Sequence, residues 1–299
     1  MQAHQTDSLS EYFTLPPPPM LFHYTSMDVL ERITDNGQIW ASHAIFLNDE
    51  SELEHARSFI RNQALERAKA VNISDLIIKE LIPIIDTTRL PDDVFVASFS
   101  EADDSLPQWR GYCTVGTGVS IGFDSNALSN CALEVDPFSS TKGADADLVC
   151  NRVLLKCVYT KEEKLNLISE SVNAVLDAVR GEHPRLSTQD ASSFIGSVIA
   201  LCAPVFKHES FKEEREWRLV VQCKERKAPK RHFRAARSTM IPFIKLDVAS
   251  GHRDTYIRQV KLGPSPNEYL GASGIAKLLE QRDLSAATVD RSKLPYRSW

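Results

Sequence analysis

The stretch FKHESFKEEREWRLVV, which begins at Phe206, places Glu214, Glu216 and Arg218 at every second position. On a strand such residues share one face, and Arg215, Trp217 and Leu219 take the other. If the charged face is buried, each carboxylate needs a partner, and Arg218 alone serves only partly. The pattern therefore reads either as a carboxylate held in a cleft or as an edge strand with solvated charges. Three more groups carry chemistry. His23 and Thr25 in LFHYTS share a strand face opposite Phe22 and Tyr24. Ser98 and Ser100 put two hydroxyls on one face, opposite Phe99. Trp109 and Tyr112 sit at i and i+3 between Pro107 and Gly111, in a connecting segment where binding residues tend to gather.

These residues allow two kinds of polar chemistry. Glu214 and Glu216, with Asp49 and Glu52, could supply oxygen ligands to magnesium in a metal-dependent nuclease. Asp49 followed by Glu52 is also a capping pair with a sufficient role at a helix start. Without a metal, a carboxylate and a histidine–hydroxyl pair could bind and polarise a small polar ligand. GTGVSIG is not a dinucleotide fingerprint, because its spacing is G-x-G-x-x-x-G and a strand follows where the pyrophosphate needs a helix N-terminus.

The elements that must position these groups follow from periodicity. Residues 1–19 read as a disordered or extended tail closed by Pro16 to Pro19, and MLFHYTS opens the domain as a strand. A helix follows, with Ser26 as its cap and Asn36-Gly37 as its stop, and then the strand QIWASH. Two helices are expected between Asp49 and about Ile85, and DVFVASFSE and TGVSIGFD read as strands on either side of LPQWRGYC. RVLLKCVYT continues the β pattern, and residues 161–206 form a helical insertion. EREWRLVVQC, MIPFIKLDV and IRQVKLGPS are strands, with a helix near GASGIAKLLEQRD. Strands and helices mix without strict alternation, which predicts one α+β domain over 20–299 with a mixed sheet.

Composition bounds the function. The 299 residues are 42% hydrophobic with a net charge of −5, which argues against a generic polyanion-binding surface. One local exception is CKERKAPKRHFRAARS, dense in Lys and Arg, read as a solvated loop between two strands or as a nucleic-acid contact. The six cysteines show no C-x-x-C spacing and are expected to be reduced in a cytoplasmic protein. No signal peptide or apolar run of membrane length is visible.

The pieces FHYTS, LNDESE, SFSEADDSLPQWRGY, GVSIGFD, FKHESFKEEREWRLV and SKLPYR, spread from residue 22 to 297, resemble the bacterial domain-of-unknown-function family 2971. A second pattern is similar to ADP-ribosyltransferases. This resemblance implies a split sheet, with His23 and Thr25 as the first motif, Ser98 or Tyr112 as the second and Glu216 as the catalytic glutamate. Ser100 and Trp109 join the expected NAD-binding set, and Glu214, Arg218 and Asn48 the acceptor or supporting set. Glu214-Arg215-Glu216 also looks like the Glu-x-Glu of arginine-directed members. The resemblance implies NAD as substrate, a protein or nucleic-acid acceptor, and a role in a bacterial toxin or antiphage system. Cleaving the nicotinamide–ribose bond passes through an oxocarbenium-like state that a carboxylate stabilises. A non-enzymatic binding or sensing module is the remaining alternative.

Overall fold

The computed structural model describes residues 9–46, 51–87, 94–113, 118–134, 150–223 and 229–294. They are α+β and gather into two compact units, where the sequence reads as one domain with a helical insertion. One unit draws on residues 1–15, 44–92 and 157–211, and the other on 16–43, 93–156 and 212–299.

The first unit is helical and is assembled from three separate segments. Its helices are Leu9–Phe13, Ser51–Ala70, Asp75–Thr87, Lys161–Val179 and Thr188–Cys202. Leu9–Phe13 lies in the expected extended tail, yet it is helical and its Tyr12 is buried. Ile60, Ile168, Ile195 and Phe206 are fully buried in this unit. The Lys161–Val179 helix starts at a capping box: Thr160 accepts from the Glu163 amide, and Glu163 accepts from the Thr160 amide. No helix among the described residues is long and apolar enough to cross a membrane.

The second unit holds the sheet. In chain order its strands are β1 (Met20–Ser26), β2 (Gln38–His43), β3 (Val94–Ser100), β4 (Gly118–Asp124), β5 (Ala132–Leu133) and β6 (Cys150–Lys156). They continue with β7 (Glu216–Cys223), β8 (Arg231–Ala235), β9 (Met240–Asp247), β10 (Ile257–Leu262) and β11 (Thr288–Arg291). All belong to one mixed sheet, antiparallel at every described pairing except β10–β11. β8 corrects the loop read there from composition: its charged side chains hide a strand that pairs with β9 from Arg231↔Ile244 to Ala235↔Met240.

β3 is the hub. β7 pairs with it along its whole length, from Val94↔Gln222 to Ser100↔Glu216. A strand has two edges, so β1 and β2 must divide the other one. β1 meets it at Phe22↔Ser100, and β2 at Ser42↔Val96 and His43↔Phe95. Between those points the two strands part, and the sheet forks at Ala97 to Phe99.

The helix between β1 and β2, Met27–Asn36, ends as expected at Gly37, whose φ of 68° is left-handed and whose amide donates to the Ile33 carbonyl. Ser26 occupies the N-cap position, but its hydroxyl donates to Asp28 and caps no amide. Cys150 and Cys223 face each other across β6 and β7, and a disulfide joins them with a Cα–Cα distance of 4.1 Å. This corrects the expectation of six reduced thiols: the pairing comes from strand register across 73 residues and leaves no local spacing to read. Cys113, Cys131, Cys157 and Cys202 take part in no disulfide among the described residues.

Candidate functional site

A small cleft opens at the fork, lined by Phe22, His23, Tyr24, Ser98, Phe99, Gln108, Tyr112, Glu214 and Glu216. Every one of these residues belongs to the sheet unit. Residues directly opposite in an antiparallel pair project to the same face. The registers Phe22↔Ser100, Ser100↔Glu216 and Ser98↔Arg218 therefore put Phe22, Tyr24, both serines, Glu216 and Arg218 on one face.

Glu216 and Arg218 form the electrostatic centre. Arg218 Nε donates to Glu216 Oε1 at 2.8 Å and Nη2 to Oε2 at 3.3 Å, with side-chain exposures of 4% and 3%. A two-point fork fixes the carboxylate in plane as well as in position. The pair answers the question of a partner for a buried acid on this strand.

Glu214 does not share the strand. It ends the 3₁₀ turn Glu209–Glu214, and Arg215 breaks the strand pattern with a left-handed φ of 45°. A non-glycine residue there costs about 1–3 kcal/mol and persists where its surroundings over-determine it. The surroundings do so here. The Glu214 carbonyl accepts from Ser100 Oγ at 2.7 Å and Gln108 Nε2 at 3.4 Å, and the Arg215 carbonyl accepts from the Glu101 amide at 3.0 Å. Glu214 lines the cleft from this turn, separated from β7 by Arg215 alone.

His23 stands at the fork itself. Its Nδ1 lies 3.0 Å from the Ser98 carbonyl, and its ring centroid 5.8 Å from that of Phe99. A carbonyl only accepts, so Nδ1 carries the proton. Burial lowers the pKa of His23 below the ordinary value and outweighs the opposing effect of the Ser98 carbonyl. The ring is therefore neutral at pH 7, and its Nε2 is an acceptor. The imidazole takes the place of a ladder donor where β1 leaves β3.

The other expected residues divide. Tyr112 is exposed at the rim, and Ser98 lines the cleft. Ser100 is buried and structural: it donates to the Glu214 carbonyl and accepts from the Ala102 amide at 3.1 Å. Thr25 opposes Val119 on the face away from Glu216, is buried, and does not line the cleft. Trp109 is buried with Phe22 and Tyr24, 4.7 Å edge-on from the Tyr24 ring, and its Nε1 donates to Asp104 at 2.8 Å. It braces the cleft wall and offers no open ring face. Asn48 and Asp49 lie outside the described residues, as does the side chain of Glu52.

Sequence reasoning missed Gln108 as well as the aromatic wall of Phe22, Tyr24 and Phe99. Gln108 and Tyr112 are four apart on the Leu106–Tyr112 helix, so they share a face, and that face is turned to the cleft. The i, i+4 spacing was the available signal. Tyr24 is fixed by its hydroxyl, which donates to the Ala102 carbonyl at 2.7 Å and accepts from the Ser105 amide at 2.9 Å.

The acidic run Glu101 to Asp104 is architectural. Glu101 accepts from Trp217 Nε1 at 2.8 Å and pairs with Lys156 at 2.9 Å. Asp103 pairs with Lys261. Asp104 accepts from Trp109 Nε1, from Ser292 Oγ at 2.7 Å and from the Lys293 amide at 2.9 Å.

Residues 108–219 match the family model described as a protein of unknown function, DUF2971. The match runs from the cleft-facing Gln108 to the strand that carries Glu216 and Arg218, and is narrower than the span of the motifs read from the sequence. No curated protein matches the chain, and no solved structure does. Among the described residues no group of three or more His, Cys, Asp or Glu side chains could hold a metal ion.

Proposed function

We propose that the cleft binds NAD through its nicotinamide–ribose end and transfers ADP-ribose to a macromolecular acceptor. The observation that carries this reading is the buried Glu216 carboxylate, held at two points by Arg218 in the same aromatic-lined cleft as His23. In the reaction the glycosidic bond breaks heterolytically and nicotinamide leaves with the electron pair. The ribosyl carbon becomes cationic, and the acceptor nucleophile attacks it and loses its proton. A fixed carboxylate stabilises that cation best when it need not reorganise. Tyr24, Phe99 and Tyr112 supply ring surface for nicotinamide, and His23 Nε2 can accept from a ribose hydroxyl or the carboxamide. The division of one β3 edge between β1 and β2 supports the split-sheet architecture that this chemistry uses.

One observation favours a second reading. Both Glu216 oxygens already accept from Arg218, and an acid so committed serves a binding or sensing module as well as an enzyme. The metal-dependent nuclease has less support, because both oxygens of Glu216 are already paired with Arg218.

The test is nicotinamide release from NAD by wild type, His23→Ala and Glu216→Gln, each normalised to folded protein, with and without a protein and nucleic-acid extract as acceptor. Release by wild type that Glu216→Gln abolishes supports the transferase. NAD binding without release favours the sensing module. Neither binding nor release removes NAD from the cleft.

A further inference from the structure

The basic segment beyond Cys223 is used by nothing in the cleft, and the registers Ser42↔Val96 and Ser100↔Glu216 place its described part on the same sheet face as Glu216 but across β3, on β2, β9 and β8. From Pro229 to Leu246 the chain carries Lys230, Arg231, Arg234, Arg237 and Lys245 without one Asp or Glu, in a protein of net charge −5. This stretch is the β8–β9 hairpin. The registers Ser42↔Phe243, Trp40↔Lys245 and His232↔Phe243 put Trp40, Phe243, His232, Arg234 and Lys245 on one face across β2, β9 and β8. Arg234 reaches over β9 to donate to Ser42 Oγ at 3.3 Å, which places its guanidinium on that face.

The rings on this face form a row. Trp40 stacks on Phe243 at 4.3 Å and 25°, and Phe243 on His232 at 5.4 Å and 26°. Trp40 stays 38% exposed although it lies within a sheet. The Arg32 guanidinium lies 4.8 Å over its ring, held by an exposed ion pair with Asp28. A planar cation therefore already occupies the ring face that another planar group would share or take. Glu134 offsets part of the charge through Lys230 and His232, whereas Arg234 and Lys245 form no ion pair among the described residues.

We propose that this β2–β9–β8 face binds single-stranded nucleic acid, with bases stacking at Trp40 and phosphates neutralised by Arg234, Lys245 and Arg32. Phe243 is buried, so the exposed end of the row is Trp40, and an exposed ring flanked by cations is a sequence-tolerant platform for unpaired bases. Duplexes bury their bases and leave only the phosphate attraction. An acidic protein surface would use the cations but not the rings. The site is separate from the NAD reading and stands or falls without it.

The test is fluorescence anisotropy of labelled oligo-dT and oligo-rU, about 15 nucleotides long, against the full chain from about 50 to 200 mM salt. The expected result is salt-weakened binding of both single strands, at least about tenfold tighter than of a duplex of the same length. The Arg234→Ala/Lys245→Ala double variant should lower the slope of log affinity against log salt by roughly 1.4, at about 0.7 per lost phosphate contact. Trp40→Ala should weaken binding about tenfold with the slope unchanged. The double variant alters only surface cations, so it remains informative if Trp40→Ala fails to fold. No binding at the lowest salt overturns the proposal. So do equal affinities for duplex and single strand, or double-variant affinity and slope equal to wild type.

Discussion

Arg218 and Glu216 stand two residues apart on one face of β7, and the guanidinium grips both carboxylate oxygens where neither side chain is more than 4% exposed. Removing one member of a buried ion pair costs about 3–5 kcal/mol. Glu216→Gln should lose stability in this range, and Arg218→Ala should do the same. The double replacement Glu216→Leu/Arg218→Met should recover most of it, because no charge is stranded. Urea denaturation of the four proteins measures the series. A stable single variant would mean that the pair is open to water and cannot be the fixed carboxylate proposed for catalysis.

His23 makes stability depend on pH. Its folded pKa lies below the ordinary value of 6.5 because burial disfavours the imidazolium, against the smaller effect of the Ser98 carbonyl. Below about 6.5 the unfolded chain takes up a proton that the folded chain refuses, so stability falls as pH drops and levels off only below the folded value. His23→Gln keeps a donor for the Ser98 carbonyl and cannot titrate. The stability difference between pH 7.5 and pH 5.5, values of about one unit either side of 6.5, should therefore be larger in wild type than in the variant. Equal pH slopes would show that His23 is solvated in the folded chain.

Asp104 ties the Leu106–Tyr112 helix to the segment after β11 through Trp109, Ser292 and Lys293. Asp104→Ala strands the buried indole N–H, at a cost of about 1–3 kcal/mol, and frees the segment after Arg291. Amide hydrogen exchange should rise at Ser292 and Lys293 more than in β4 or β7. Uniform exchange across all of these would show that Asp104 supports the whole fold and not this junction.

The strands were legible where alternation is strong. MLFHYTS matches β1 residue for residue, and Asn36-Gly37 marks the end of its helix because Gly37 adopts the left-handed turn. What alternation could not say is which face is which. β1 lies between β3 and β4 with Leu21, Phe22, Tyr24 and Thr25 all buried, so period-two patterning gives the partition but not the side that opens into a cleft. His23 joins the cleft by standing where two strands part, a property of β3's neighbours and not of β1. Glu214 was misplaced because nothing in EREW signals a left-handed arginine. β8 was read as a loop because its charges dominate its composition and its pairing belongs to β9.

Two glycines near the cleft should respond to the same substitution with opposite sign. A Cβ on Gly122 would lie 2.7 Å from Met20 Sδ and 2.9 Å from Phe22 Cε1, while one on Gly111 would meet nothing within 4 Å. Gly111 is inside the Leu106–Tyr112 helix, where Gly→Ala gains about 0.5–1 kcal/mol by restricting the unfolded backbone. Gly122→Ala must displace the Phe22 ring, and overpacking of this kind costs about 1–3 kcal/mol. Met20 can swing aside at little cost, so the penalty falls on Phe22, which lines the cleft. Denaturant titration should show Gly111→Ala more stable than wild type and Gly122→Ala less stable. Any ligand of the cleft should bind more weakly to Gly122→Ala alone. Undiminished affinity in a destabilised Gly122→Ala would mean that Phe22 braces the sheet without shaping the ligand site.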